Sequence, residues 1–278
     1  MDENYKRRIN QQMYFDIFNE AEKLPALGKI SYDMTLDLIG ELVINADNNG
    51  GWDVNKLDEK AIYAFTVYLF DLLSSYLKLL PEDGNMISIF ILQRTIIELC
   101  IKLKWLIYKD DSEVYLDFMK DSLVAEKLYL AEIENHPEIS ENFKKGTRES
   151  IYRLCNESGI EIDGLSKNKI KFENIEKMAN ELIKNDLIPR SIYEIVYRTY
   201  SNYTHAGWSA IQMNAFRNTI SRADVGMIVS ISIQIIDLFV YINKKYNNLK
   251  PEFLKDLDLY EKAFLILNRE DLRRINRL

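Results

Sequence analysis

Residues 87–101 read ISIFILQRTIIELCI, a run in which apolar side chains cover almost the whole circumference of a helix. A helix that is apolar on every side belongs inside a protein, with neighbours packed around it. Arg94 and Glu98 place two charges four residues apart in this run. Because an unpaired charge is very costly to bury, both must be paired or must line a cavity. The stretch therefore predicts a central helix, about residues 85–108, that carries one polar stripe.

The rest of the chain repeats the helical pattern. Apolar positions recur with the 3.6-residue period of an α-helix, and strict alternation over the length of a strand is absent. Ten Gly and five Pro among 278 residues leave few points at which helices are broken. We therefore predict an all-α fold, a multi-helix bundle of roughly 9–12 helices. The other expected helices span about 3–24, 30–47, 55–80, 112–135, 172–185, 188–205, 208–217, 220–246, 251–266 and 269–277.

The length of the chain sets its domain organisation. A chain of this size buries about three quarters of the surface that it would expose when unfolded, so it needs no disulfide or metal to hold it together. We expect residues 1–278 to form a single helical domain, in which the helices of 1–80 pack on a core of 85–135 and 172–246. Residues 138–170 have the weakest apolar pattern, which predicts a polar helical and loop insertion there.

Charge and cysteine content exclude some classes of function. The formal net charge of −7 excludes a uniformly basic, nucleic-acid-coating surface, although it leaves room for a local basic cleft. Cys100 and Cys155 lie in helical patterns, and residues 1–12, MDENYKRRINQQ, lack the apolar core of a secretory signal. We therefore expect reduced thiols and a cytoplasmic protein.

The run VGMIVSISIQIIDLFVYI, residues 225–242, has nearly the length of a membrane span. It contains Gln234 and Asp237, whereas a span of about 20 residues carries few or no such groups. An acid at the centre of the bilayer costs about 2.5–3.5 kcal/mol on insertion scales. The run therefore predicts a buried core helix, and we expect no membrane contact.

A second polar feature lies in residues 197–205, YRTYSNYTH. Seven helical steps separate Arg198 from His205 and return to nearly the same face, about 10.5 Å further along the axis. Ser201 lies between them on that face, and Asn202 follows it. A fixed cation, a hydroxyl and a group that titrates near neutrality suit a phosphate-bearing ligand or phosphodiester chemistry. A simpler interpretation is an ion pair of Arg198 with Glu194, four residues before it, and a histidine that favours the helix end.

The polar residues of the central helix and the aromatic residues near the second motif each have a structural and a functional interpretation. Arg94, Glu98 and Lys102 can form a self-contained ion ladder, or they can line a cleft in which Arg94 positions phosphate. In the cleft, Glu98 would orient Arg94, Arg198 or His205. The aromatic residues near the second motif can stack nucleic-acid bases or simply pack between helices. They are Tyr193, Tyr197, Tyr200, Tyr203 and Trp208.

Other kinds of site lack their signatures. The chain has two histidines, no His-Glu-x-x-His and no Cys-x-x-Cys, so a histidine-rich metal site is not expected. Residues 48–51, NNGG, lack the Lys-Ser/Thr of a phosphate-binding loop. Both cysteines fall in apolar helices, where thiols are usually inert. We expect neither a metal nor a cofactor.

The spacing Arg198-x6-His205 resembles the Arg-x4-6-His signature of the HEPN superfamily. These are small all-helical proteins of toxin–antitoxin, abortive-infection and CRISPR-linked defence systems. The Arg94-x3-Glu98 helix, taken with residues 197–205, also resembles an uncharacterised bacterial all-helical family. That family carries R-x3-E and YR-x2-S-x3-H signatures, and the similarity covers most of residues 60–245.

The resemblance implies a metal-independent endoribonuclease of bacterial antiphage defence or of a toxin system. Arg198 would hold the scissile phosphate, and His205 would act as general acid or base on the 2′-hydroxyl or the leaving oxygen. Residues that would support catalysis or bind phosphate are Arg94, Glu98, Ser201, Asn202 and Glu194.

The resemblance also bears on partners. In active HEPN ribonucleases two such motifs usually meet at a dimer interface, which implies a homodimer that takes RNA or a nucleotide. A protein partner encoded in the same operon is a further expectation. The alternative is a non-catalytic helical module that binds a nucleotide, RNA or a protein in the same kind of system. A third hypothesis is a buried polar network without any ligand.

Overall fold

A computed structural model of the chain describes residues 56–79, 86–165, 172–205 and nine helical positions between 231 and 245. No strand occurs in this part of the chain, which confirms the all-α prediction. The helices are α1 (Leu57–Leu79), α2 (Met86–Lys109), α3 (Ser112–Asn135), α4 (Glu141–Glu157), a 3-10 turn (Ile162–Gly164), α5 (Ile175–Lys184), a π-helix (Ile192–Tyr197) and α6 (Arg198–Thr204).

The predicted helix bounds agree with α1, α2, α3 and α5 to within a few residues. The helices expected at 3–24, 30–47, 208–217, 251–266 and 269–277 lie outside the described residues. The helix expected at 220–246 is described only at its nine positions between 231 and 245, and all nine are helical.

The main core surrounds α2, as its all-round apolar pattern predicts. This helix contacts α1, α3, α5, the π-helix and α6. Ile97 and Leu106 are nine residues apart, which puts them on opposite sides of α2, and both are buried, so α2 is covered on opposite sides. Tyr200 of α6 is also fully buried and stacks on Phe90, with ring centroids 5.2 Å apart. The packing fixes α6 against the N-terminal half of α2, beside Arg94.

The predicted insertion packs against α3 as an appendage with its own small core. Helix α4 buries Ile151 and Cys155 against Leu123 and Leu130 of α3. The Nζ atom of Lys127 donates hydrogen bonds to the carbonyls of residues 162 and 165, at 2.9 and 3.1 Å, and so ties the 3-10 turn to α3. Within the described residues this second core is separate from the one around α2.

The late apolar run contributes to the main core where it is described. Ile231, Ile235 and Leu238 are buried there, and the Asp237 carboxylate pairs with the nearly buried ammonium of Lys104. A buried lysine needs such a partner, because an unpaired charge is costly inside a protein. Within the ranges described above, no helix has both the length and the apolar character needed to cross a membrane.

Candidate functional site

The helix that carries the second motif changes its geometry just before Arg198. It follows Pro189, which suits the start of a helix because its missing N–H has no helical partner there. Residues Ile192–Tyr197 then form a π-helix, and Arg198–Thr204 return to α geometry. The sequence predicted one continuous α-helix over 188–205, and that prediction is wrong for the π segment. Single π turns occur mostly inside α-helices and frequently at functional sites.

Arg94 is the centre of a partly buried polar network between α2 and α6. Its Nε donates to the Ser201 hydroxyl at 3.1 Å, and its Nη2 donates to the Tyr197 hydroxyl at 3.0 Å. The same Nη2 lies 3.6 Å from the Glu98 carboxylate. The Arg94 side chain is only 19% exposed, and its Nε and Nη2 are both directed at groups inside the protein. These contacts favour a role for Arg94 in joining the two motif helices.

Glu98 completes this network on the α2 side. Its Oε1 accepts a hydrogen bond from Lys102 at 2.6 Å, and its Oε2 accepts one from the Tyr197 hydroxyl at 3.5 Å. The predicted ladder of Arg94, Glu98 and Lys102 is therefore present, with a phenol added to it. Burial and the Glu98 carboxylate together raise the pKa of Tyr197, so the phenol stays protonated and can donate. Glu98 was expected to orient Arg94, Arg198 or His205, and in the structure it contacts Arg94.

Two tyrosine rings connect Arg94 to Arg198. The Arg94 guanidinium carbon lies 5.1 Å from the centre of the Tyr197 ring. Tyr197 stacks on Tyr193, with centroids 5.3 Å apart and ring planes 17° apart. The Arg198 guanidinium carbon lies 5.3 Å from the Tyr193 ring. A guanidinium over an aromatic face is attracted by the ring quadrupole, so this stack holds the arginines of both motifs in place.

The tyrosines in this region are packing residues. Tyr193, Tyr197 and Tyr200 are 5%, 6% and 0% exposed, which leaves no ring face for a nucleic-acid base. The structure therefore favours helix packing over base stacking for these three. Tyr203 and Trp208, named with them as stacking candidates, lie outside the side chains that are described.

Arg198 lies on the outer side of the same helix. Its side chain is 59% exposed, and its Nη2 is 3.4 Å from Oε1 of Glu176 in the first turn of α5. The alternative in which Glu194 pairs with Arg198 is wrong, because Glu194 pairs with Arg190 at 3.2 Å. Since π geometry relates residues five apart, Arg198 lies over Tyr193, five residues before it.

His205 follows the last residue of α6 and is exposed. Its backbone N–H donates to the Ser201 carbonyl at 3.1 Å, so helical geometry continues to this residue. Arg198 and His205 are therefore seven α-helical steps apart on nearly the same side, and both side chains are exposed. Ser201 lies between them in the same α geometry, as predicted, and its half-buried hydroxyl accepts from Arg94 of α2. The Asn202 side chain lies outside the described part of the chain.

The cysteines stay out of the site. Burial raises the pKa of Cys100 to about 12, and burial also raises the pKa of Cys155. Both thiols are therefore protonated at neutral pH and poor nucleophiles, as predicted, although Cys155 is buried in the largely polar helix α4 and not in an apolar one. In the described ranges, no group of three or more His, Cys, Asp and Glu side chains could hold a metal ion.

Sequence reasoning missed two of the residues that surround Arg198. Glu176 precedes Arg198 by 22 residues and lies on another helix, so no helical spacing could reveal it. Tyr193 is close in sequence, but its contact with Arg198 requires the π turn. In a regular α-helix the neighbours on one face are three or four residues apart, whereas these two residues are five apart.

These features define an all-helical protein in which two arginine motifs meet across one helix pair. The chain belongs to the family described as "Family of unknown function (DUF5677)", whose model matches residues 59–220, more than half of its length. The matched region contains both the Arg94–Glu98 motif and the Arg198–His205 motif. No curated protein and no solved structure matches the chain.

Proposed function

We propose that this protein is a HEPN-like, metal-independent endoribonuclease that acts in the bacterial cytoplasm, in antiphage defence or in a toxin system. The observation that carries the proposal is the exposed pair at the two ends of α6, Arg198 as its first residue and His205 directly after its last. Arg198 and His205 are seven α-helical steps apart, and both are open to solvent. A guanidinium and an imidazole that are accessible on one side of a helix can reach the same phosphodiester.

In the proposed reaction Arg198 binds the scissile phosphate. Its planar guanidinium has five N–H donors, and in the structure Nη2 is directed at Glu176. His205 acts as general acid or base, because the two ring nitrogens of an imidazole can donate and accept a proton. A positioned acid or base of this kind typically contributes about 10²–10⁴-fold to the rate.

The inner network has a supporting role in this proposal. Arg94, Glu98 and Ser201 hold α6 against α2, and the stacked tyrosines extend that support to Arg198. Catalytic groups must be held within a fraction of an ångström of their working geometry. The network therefore fixes the direction of the exposed side of α6, while Arg198 and His205 contact the RNA.

A homodimer is part of the proposal. Because the side chains of Arg198 and His205 are exposed, a phosphodiester bound to them would be open to water on one side. A second copy that faces this side of α6 would enclose the substrate and add a second Arg–His pair. Exclusion of water strengthens charge interactions at a reacting centre.

The test is RNA cleavage in EDTA by wild type, Arg198→Ala and His205→Ala, with two matched controls. Arg190→Ala removes another exposed arginine of the same helical segment, and His136→Ala removes the other histidine of the chain. We expect cleavage by wild type and both controls, and a loss of about 100-fold or more in the two site variants. Equal cleavage by all five proteins, or no cleavage by wild type, would contradict the proposal.

A second candidate is a non-catalytic module that binds RNA, a nucleotide or a protein partner. It is favoured by the carboxylates that already accompany both arginines, Glu98 at Arg94 and Glu176 at Arg198. Such pairing lowers the charge available for catalysis but permits reversible binding of an anion. This candidate predicts that RNA raises the melting temperature without being cut, and that Arg198→Ala removes the stabilisation.

A further inference from the structure

The surroundings of Arg198 consist of one fixed group and one replaceable group. The Tyr193 ring beside the guanidinium is 5% exposed and is held by its stacking on Tyr197. The Glu176 carboxylate, in contrast, belongs to a side chain that is 56% exposed, and its distance of 3.4 Å to Arg198 is long for a charged pair. An exposed pair of this kind is weakly held and is screened by salt.

Glu176 also has an environment that suits it when it leaves Arg198. It lies in the first turn of α5, where the helix dipole favours negative charge. Asn174 caps this helix by accepting the Lys177 backbone N–H at 3.0 Å, so the helix end does not depend on the Glu176–Arg198 contact. Displacement of the carboxylate therefore leaves both the helix and the Arg198–Tyr193 contact in place.

We propose that Glu176 is an internal competitor for the anion site at Arg198. The carboxylate occupies the guanidinium in the free protein, and a phosphodiester of RNA displaces it on binding. Glu176 then sets the affinity of the site, because every ligand must exchange with it. Weak single anions compete poorly, whereas a polyanionic strand gains from several phosphates and counterion release. This inference rests on the proposed function, since it assumes that Arg198 binds RNA phosphate.

The test compares RNA affinity among acid-to-amide variants. Glu176→Gln is measured beside Glu173→Gln, which removes the same charge from a nearby pair with Lys177, and Glu149→Gln, which removes it from an exposed pair with Lys145 on α4. All are made in a His205→Ala background, so that the probe stays intact. Binding of a fluorescein-labelled single-stranded RNA is followed by anisotropy in EDTA at low salt, and each variant's melting temperature is checked.

We expect Glu176→Gln to tighten binding by about two- to fivefold, in line with the strength of an exposed ion pair, and the two controls to change it less. The gain should vanish when Arg198→Ala is added, because the carboxylate then has no cation to compete for. If Glu176→Gln matches its controls or weakens binding while Arg198→Ala still loses RNA, the competitor inference is overturned and the RNA site stands. If Arg198→Ala binds RNA as tightly as its parent, the proposed function and the inference both fail.

Discussion

The inner and outer sides of the helical segment Ile192–Thr204 differ in how their polar groups are satisfied. On the inner side Arg94 holds Ser201, Tyr197 and Glu98 in a partly buried network. On the outer side Arg198 has one exposed carboxylate and one ring face. The arginines of the two motifs therefore have different physical tasks, since a partly buried cation with several partners stabilises the fold, whereas an exposed one with few partners can bind a ligand.

The π-helix explains how one segment serves both sides. Tyr193 and Tyr197 are both buried and stacked, yet Arg198, the next residue, is exposed. Because the two stacked rings contact both arginines, they link Arg198 to the inner network. This division predicts that substitutions on the inner side lower the stability of the fold, whereas substitutions on the outer side change RNA binding and cleavage.

The largest expected effect is at Tyr200 of α6. Its ring is fully buried and stacks on Phe90. Tyr200→Ala should lower the free energy of unfolding by roughly 3–5 kcal/mol, as aromatic-to-alanine changes in cores do. Urea unfolding followed by circular dichroism measures this, and Tyr200→Phe, which keeps the ring, should lose far less. A loss below about 1 kcal/mol in Tyr200→Ala would show that the inner side is loosely packed.

Removal of Arg94 should have the next largest effect. Arg94→Ala leaves the Glu98 carboxylate and the Ser201 hydroxyl without their arginine donor in a partly buried place. We expect a loss of about 1–3 kcal/mol, the usual cost of a broken buried hydrogen bond. Lys102→Ala, at the more exposed end of the same ladder, is the control and should cost less. If Arg94→Ala is as stable as wild type, the inner network does not stabilise the fold.

A pH experiment extends the comparison to Glu181 of α5. Burial alone would raise the pKa of Glu181, but hydrogen bonds from Lys109 and Trp105 outweigh it and hold the pKa below its ordinary value of 4.5. Because the folded pKa is depressed, the stabilisation is present above pH 4.5 and is lost as the pH falls through the folded pKa.

The stability gap between wild type and Glu181→Gln should therefore narrow in urea titrations below pH 4.5. Glu149→Gln, which changes an exposed pair with Lys145, should show little gap at any pH. A gap for Glu181→Gln that stays constant or widens on acidification would contradict the assigned ion pair.

The smallest effect on stability is expected at Arg198. Its pair with Glu176 is more than half exposed on both sides, and such pairs contribute about 0–1 kcal/mol. Arg198→Ala should therefore unfold within about 1 kcal/mol of wild type in the same urea assay. A loss as large as that of Arg94→Ala would mean that the outer arginine is structural too.

The sequence allowed the inner side to be predicted in part, because its signals are local. The all-round apolar pattern of 87–101 located the central helix, and the four-residue spacing of Arg94, Glu98 and Lys102 predicted their ladder. Both depend on residues within one helix, whose geometry is regular. The contact of Arg94 with Ser201 spans 107 residues, and no spacing rule reaches that far.

The outer side was harder to predict, because its geometry depends on an irregular turn and on a distant helix. A regular α-helix would place Glu194 beside Arg198, whereas the π turn places Tyr193 there and leaves Glu194 with Arg190. Glu176 reaches Arg198 only because α5 packs on α2 next to the π segment. Helical spacing therefore predicted that the arginine and the histidine share one face, but their exposure and the neighbours of the arginine required the structure.

The most direct test of the account measures RNA cleavage and thermal stability on the same preparations of wild type and His205→Ala. We predict a fall of about 10²–10⁴-fold in the metal-free cleavage rate. The melting temperature should change by less than about 4 °C, the shift that roughly 1 kcal/mol produces in a protein somewhat smaller than this one. An unchanged cleavage rate, or a loss of activity that only follows a loss of folded protein, would contradict the claim that the outer side of α6 performs the chemistry.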